Sequence, residues 1–283
     1  MKISVVTNAF NQGEFLAAAA ESVLTQDGVD IEYIVIEPGS TDSTPAVIAA
    51  LEARYPGRFT VLREKDDGPA DGLNKGFARC TGDWFIYINA DDAFLAGAFR
   101  QAAAALARNA DAGAVIGSGY LCDENGGYLR RAISNAFSAR RFVYGGCFAL
   151  QQSTFYRAAA FRAVGGFNTA NRTSWDAEIL FDLERKGYPV VTVPGYWSLF
   201  RMQPNSITVS QRWADESARV HARYFRDVTG RDKVPADRWR ARLTQAVTRI
   251  ANPGATLARL VDAIAPRRHR FAEAQPPGWL VNP

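Results

Sequence analysis

The chain has 283 residues, of which 47% are hydrophobic, 22% charged and 12% aromatic. That balance excludes a disordered chain, which could not bury enough apolar surface, and a membrane bundle, which carries fewer charges. The three cysteines (Cys80, Cys122 and Cys147) form no CxxC pair, and the two histidines (His221 and His269) come late in the chain. A disulfide framework, a zinc site and a His-based triad are thereby excluded, and the formal charge of +4 by itself points to no partner.

The first 120 residues alternate short β-type runs with helical patterns. Ile3–Thr7 reads as a strand, followed by a helix with Phe15, Ala19 and Val23 at helical spacing. Ile31–Ile36 is a second strand, ending in the turn-rich stretch Glu37–Thr44, with Thr44 as N-cap and Pro45 opening a helix. Phe59–Leu62 is a third strand, Pro69–Ala78 a short helix, and Trp84–Ile88 a fourth strand stopped by Asn89-Ala90-Asp91-Asp92. An alanine-rich helix, Ala98–Leu106, and a fifth strand, Ala114–Leu121, complete this part. Strands alternating with helices predict right-handed crossovers, hence an α/β fold with a mostly parallel, Rossmann-like central sheet. Such sheets bind ligands beyond the carboxyl ends of their strands, where Thr7-Asn8, Glu37, Asp66-Asp67 and Asp91-Asp92 are all expected to converge.

After residue 121 the pattern is less regular. Asp123–Gly127 reads as a hairpin turn, Asp176–Arg185 as a helix, and Val190–Val193 and Tyr196–Phe200 as two strands. From Gln211 onward three helices are expected, with Tyr224, Phe225, Trp239, Leu243, Val247, Ile250, Leu257, Leu260, Val261 and Ile264 among their apolar positions. The residues around Pro276-Pro277 read as a loose tail. The apolar run at the N-terminus is too short for a signal-peptide core and no run approaches bilayer length, so a cytoplasmic protein is expected.

Adjacent carboxylates after a buried strand are costly unless a cation compensates them, which makes Asp91-Asp92 a candidate site for a divalent metal holding phosphate oxygens. Asp92 as a plain helix cap is the competing explanation. Glu37 can bind a ribose hydroxyl or base edge, or be a solvated loop acid. At Trp175-Asp176-Ala177-Glu178, two acids open a helix; Asp176 can serve as a general base or merely complement the helix dipole.

Taken in order, these segments resemble the family-2 glycosyltransferases, inverting enzymes of GT-A fold. Ser4–Asn11 with Ser22–Gln26 resembles the family's opening strand and helix, and Tyr33–Thr44 its second strand and Asp-Gly-Gly-Ser-Thr-Asp-Gly-Thr turn. Asp66–Gly76 resembles its Asp-x-Gly…Asp-Ala-x-Asn-Lys-Gly segment, and Gly82–Asp92 the strand leading to its metal motif. The resemblance spans about residues 1–210 and implies transfer of a sugar from a nucleotide-sugar, with inversion. It implies a donor site of Thr7, Asn8, Glu37, Asp66, Asp71, Asn74, Asp91 and Arg201, and a manganese or magnesium ion on Asp91 and Asp92. It also implies Asp176 as catalytic base with Glu178 as its alternate, and Gln151, Gln152 and Trp175 on the acceptor side. Two positions depart from the family pattern. Glu37 stands where Asp is usual, and Gln203 replaces the His of an Arg-x-His-Pro segment, which weakens the case for tight metal binding. Arg201 can meet a phosphate or form an ordinary surface ion pair.

The implied partners are a nucleotide-sugar donor and a glycan or lipid-linked acceptor, with no nucleic acid. A sugar-phosphate nucleotidyltransferase would need a glycine-rich basic loop after the first strand, and Thr7–Gln12 contains neither glycine nor Lys or Arg. A non-catalytic nucleotide-sugar-binding module is the other rival. Residues 1–210 are read as the glycosyltransferase domain, with 1–120 as the donor half and 121–210 as the acceptor half, and 211–283 as a helical C-terminal extension. Residues 212–283 carry 14 basic and 7 acidic side chains, against 19 and 22 in the first 211. A basic helical extension with Trp239 between Arg238, Arg240 and Arg242, and Phe271 near Arg267, Arg268 and Arg270, can rest on the inner face of a cell membrane. A solvated appendage and a homo-oligomer contact stand beside that reading.

Overall fold

The structure is a computed structural model that describes residues 1–203 and 213–264. Its centre is built by strands that are apolar on both faces, as expected for a sheet covered by helices on each side. In β1 (Lys2–Asn8), Ile3 and Val5 join one apolar layer and Val6 the other. In β4 (Trp84–Asn89), Trp84, Ile86 and Ile88 face the first layer, and Phe85 and Tyr87 the second. Full burial of one such side chain contributes about 1.5–3 kcal/mol, so these two strands alone anchor the fold strongly.

The remaining strands are β2 (Asp30–Ile36), β3 (Thr60–Leu62), β5 (Ala93–Phe94), β6 (Ala114–Cys122), β7 (Tyr128–Ala132), β8 (Thr154–Arg157) and β9 (Val190–Arg201). They form one nine-stranded sheet in the order β3-β2-β1-β4-β8-β6-β9-β5, with β7 paired to β6. The block β3-β2-β1-β4 is wholly parallel. Beyond it the sheet is mixed, because β8 runs antiparallel to both β4 and β6 while β9 runs parallel to β6. The two strands expected near residues 190–200 are one strand, kinked at Pro194-Gly195, where Gly195 adopts φ 144° and the register against β6 shifts.

Helices α1 (Leu16–Leu24), α2 (Thr44–Arg54) and α4 (Ala98–Arg108) cover the first layer. Helices α3 (Pro69–Arg79), α6 (Ala158–Val164) and α7 (Trp175–Arg185) cover the second, with the short α5 (Ala139–Val143) beside α7. Ser43, one residue before the expected Thr44, stands at the N-cap of α2. Helix α3 approaches β1 closely, because a Cβ on Gly76 would lie 2.7 Å from Val6 Cγ1. That close approach seats the start of α3 over the end of β1.

Helix α8 (Ala214–Thr229) belongs to the core, since Val220 and Tyr224 join the second layer. Helices α9 (Asp237–Ala251) and α10 (Pro253–Ile264) follow, and Trp239, Leu243, Val247 and Ile250 of α9 and Leu257, Leu260 and Val261 of α10 are exposed. No helix among the described residues is long and apolar enough to cross a membrane. The expected boundary at 210/211, the segment Pro204-Asn205-Ser206, the basic group Arg267, Arg268, Arg270 with Phe271, and the tail lie outside the described residues.

Candidate active site

Parallel register brings the strand ends together. Asn8 of β1 pairs in register with Ile36 of β2 and Asn89 of β4, so residues just past these positions share one edge. A cleft of about 520 Å³ opens there, within the range of small-molecule sites. Asn8, Pro69, Asn89 and Asp91 border it from the parallel block, and Gln151, Trp175 and Asp176 from the opposite wall.

Asp176 sits in the first turn of α7, where its carboxyl meets the N–H groups of Ala177 and of Asp176 itself. Burial pushes its pKa above the ordinary carboxylate value, and those N–H donors offset only part of this. Glu178 lies two residues on, so it faces the other side of the helix. It accepts hydrogen bonds from Asn168 (3.0 Å) and Asn171 (2.6 Å) and pairs with Arg223 at 2.7 Å, away from the cleft. Only the first of the two expected base candidates therefore borders the cleft, and Glu178 joins α7 to α8.

The adjacent acids after β4 also part company. Asp92 is fully buried, with Oδ1 accepting the Arg201 N–H (2.9 Å) and Oδ2 accepting from Gln152 (2.9 Å) and Asn89 (3.3 Å). Both of its oxygens accept hydrogen bonds, and through them Asp92 holds the loop to β9. Asp91 borders the cleft and accepts a hydrogen bond from Gln203 Nε2 at 2.8 Å. Burial and their mutual repulsion raise the pKa of both acids. Buried negative charge in excess of its donors suits a cation. No cluster of three or more His, Cys, Asp or Glu exists among the described residues. A hard divalent cation that keeps several waters and shares substrate phosphates needs only one or two carboxylates, so Asp91 fits that role without Asp92.

Several other expected donor residues are occupied differently. Thr7 is fully buried and its hydroxyl accepts from Tyr33 Oη (3.1 Å) in the core, not in the cleft. Glu37 Oε1 accepts from the N–H groups of Gly39 and Ser40, closing the turn after β2. Burial acts to raise the Glu37 pKa, but these donors outweigh it and leave it below the ordinary value. Asn74 uses both ends of its amide on the Phe167 backbone (2.8 and 2.9 Å), stapling α3 to the turn after α6. Asp71 pairs with Lys75 at 2.7 Å and accepts the Asp67 N–H. The Arg201 guanidinium donates to the main-chain oxygens of Asp91 (3.0 Å) and Glu124 (2.9 Å) and lies over the Phe15 ring, so it braces the loop. Gln152 is spent on Asp92, whereas Gln151 donates to Tyr87 O (2.9 Å) at the cleft wall.

Asn8 and Asp66 keep free capacity. Asn8 Nδ2 donates to Pro69 O (3.0 Å), while its buried Oδ1 has no hydrogen-bond partner among the described residues. A Cβ on Gly72 would lie 3.0 Å from that oxygen and 2.6 Å from Asp66 Oδ2, so the missing side chain keeps the space between the two acceptors open. Burial raises the Asp66 pKa, and the Gly68 N–H counters it in part. Sequence reasoning missed Phe10 and Phe148, which border the cleft and stay exposed. For Phe10 the available signal was a large apolar ring just after a strand end, in an otherwise polar loop; Phe148 follows no strand and gave no such signal.

A cleft at the carboxyl edge of a parallel block, with acids on facing walls, is the arrangement of an α/β enzyme. The sequence matches the family "Glycosyl transferase family 2" over residues 4–165, and the chain belongs to that family. Among relatives, a PGL/p-HBAD biosynthesis glycosyltransferase of Mycobacterium bovis is 26% identical over 62% of this chain and 68% of its own length. An uncharacterized glycosyltransferase of Nostoc is 36% identical over 32% of this chain, a match that spans only 29% of the Nostoc protein. The minor teichoic acid biosynthesis protein GgaA of Bacillus subtilis is 25% identical over 74% of this chain and 49% of its own length. Among solved structures, the mannosyltransferase PcManGT of Pyrobaculum calidifontis, in complex with GDP-Man and Mn2+, superposes with TM-score 0.62 at 18% identity, covering 94% of this chain and 81% of that one. S. aureus TarS 1–349 in complex with UDP-GlcNAc gives 0.61 at 16%, covering 94% and 76%. At such identities the likeness is one of fold, and it bears out the expected GT-A architecture.

Proposed function

We propose that the protein transfers a sugar from a UDP-, GDP- or dTDP-linked donor to a hydroxyl of a glycan or lipid-linked acceptor, with inversion at the anomeric carbon. The observation that carries this reading is Asp176, a buried carboxyl with raised pKa in the same cleft as Asp91 and the unpaired Asn8 Oδ1. Asp176 accepts the proton of the acceptor hydroxyl as that oxygen attacks the anomeric carbon and the nucleoside diphosphate leaves from the opposite face. Asn8 Oδ1 and Asp66 accept hydrogen bonds from the donor's nucleoside, and Phe10 offers an apolar face to its base. Gln151 and Trp175 border the acceptor side. Asp91 would hold a manganese or magnesium ion, which would neutralise charge on the diphosphate as it leaves. The names of the relatives, which speak of PGL/p-HBAD, succinoglycan and teichoic acid biosynthesis, support a setting in bacterial surface glycoconjugate synthesis.

The test is turnover of a panel of UDP-, GDP- and dTDP-sugars by the purified full chain with manganese, beside Asp176→Asn. Turnover by the wild type alone, with nucleotide bound by both, is the expected result. If both bind nucleotide and neither turns over any donor, the protein is a non-catalytic nucleotide-sugar-binding module.

A further inference from the structure

Helices α9 and α10 are amphipathic, but they pack the reverse of the usual way. In α9, Trp239, Leu243, Val247 and Ile250 follow one another at steps of four, four and three and fall on one stripe about 80° wide. All four are more than half exposed, Ile250 at 79% and Trp239 at 75%. The face turned to the protein is polar. Asp237 is fully buried and takes a bidentate pair from Arg231 (2.7 and 2.8 Å), Thr248 donates to Gly146 O (2.9 Å), and Thr244 packs against Gly146. In α10, Asp262 and Ala258 point inward, with Asp262 accepting the Arg131 N–H (3.0 Å), while Leu257, Leu260 and Val261 are exposed. Two successive helices are thus held by buried polar bonds and present apolar faces outward.

We infer that this outward face of α9 and α10 docks on an anionic phospholipid bilayer. The charge distribution selects that occupant. The acids of α9 and α10 are Asp237 and Asp262, both buried, so Arg240, which also reaches Asp237 at 3.1 Å, and Arg242 flank the α9 stripe with no outward acid on these helices. Their helical positions lie roughly 60–100° from the stripe centre, where a long side chain can lay its stem on apolar surface and put its guanidinium at headgroup level. Trp239 suits the same interface, with an apolar body and an N–H donor. A second copy would bring the same Arg rim against this one, whereas anionic lipid neutralises it. The area is also small for a dimer: two helices of these lengths give stripes totalling roughly 400 Å², about half of the ~800 Å² per partner in a stable interface. The remaining chain, 265–283, carries Arg267, Arg268 and Arg270 against one acid, Glu273, and so brings further like charge.

The test is flotation of the full chain with vesicles of phosphatidylcholine alone or with phosphatidylglycerol. Binding to the phosphatidylglycerol vesicles is expected, falling roughly tenfold at high salt. The double substitution Leu243→Gln with Ile250→Gln is expected to lower it by about tenfold or more, with the melting temperature and nucleotide binding unchanged. Brominated lipid should quench wild-type fluorescence more than that of Trp239→Phe. No partitioning on anionic vesicles overturns the inference, as does equal partitioning of wild type and double variant. It is also overturned if the double substitution abolishes a dimer formed without vesicles. Shielding of Trp239 from acrylamide in a lipid-free monomer would assign the stripe to the chain's own tail instead. None of these readouts depends on sugar transfer, so they stand apart from the activity test above.

Discussion

The parallel block β3-β2-β1-β4 and the helix pair α9–α10 carry the same two kinds of residue and use them in opposite directions. In the block, apolar side chains go inward and polar ones collect at the strand ends, bordering a cleft. In the helix pair, buried Asp237, Thr248 and Asp262 hold the protein and the apolar residues face out. Helical periodicity identifies a stripe, but which side of the helix meets the protein depends on what the neighbouring elements offer. Gly146 and the Arg131 main chain offer polar partners to α9 and α10, so the polar face wins.

The largest expected effect lies in the cleft. Asp176→Asn should lower kcat by about 10²–10⁴, the range typical of a lost general base. Because burial raises the Asp176 pKa, the active, ionised form should gain population as pH rises through a value above the ordinary Asp range, visible as a rising acid limb in kcat/KM against pH. The stability sign is the reverse of a salt-bridged acid. The folded state favours protonated Asp176, so its ionisation costs stability above the folded pKa and nothing below the unfolded one. Asp176→Asn should therefore melt above wild type at neutral pH, and the difference should vanish at acid pH.

Next come stability effects that set the two regions against each other. Ile88→Ala should cost about 2–5 kcal/mol in denaturant unfolding, because Ile88 is fully buried in β4. Ile250→Ala should stay within ~0.5 kcal/mol, because the side chain stands in solvent. An equal cost at both positions would mean that α9 is covered in the free protein. Gln152→Ala should fall between them, at about 1–3 kcal/mol, since it strips a donor from the buried Asp92. Finally, chelator or Asp91→Asn should lower turnover, and full activity in chelator would remove the metal from the proposal.

Much of the fold was legible because local and global signals agree. The succession of strands and helices from Lys2 to Asn89 follows from short continuous apolar runs, turn residues and a proline in the first turn of α2. β5 and β8 were not legible, being two and four residues long, and Pro194-Gly195 made one strand read as two. At the site, the edge on which the acids gather was legible, but the fate of each side chain was not. Thr7, Asn74 and Glu178 are taken by partners 26, 93 and 45 residues away. No spacing within a motif reports such long-range partners. Of the adjacent acids, Asp92 is held by Gln152 and by the Arg201 N–H, 60 and 109 residues away.

The arrival of β9 bears on the order in which the molecule is assembled. Asp92 waits for the Arg201 N–H, 109 residues later in the chain, and Asp91 for Gln203, 112 residues later. A growing chain that has made only the region matching the family, 4–165, holds both acids without these donors. The floor of the cleft is thus closed by a late, non-local contact, which is slow to form because a long loop must first be ordered. A chain stopped before β9 would carry the family's sequence signature over an unfinished site.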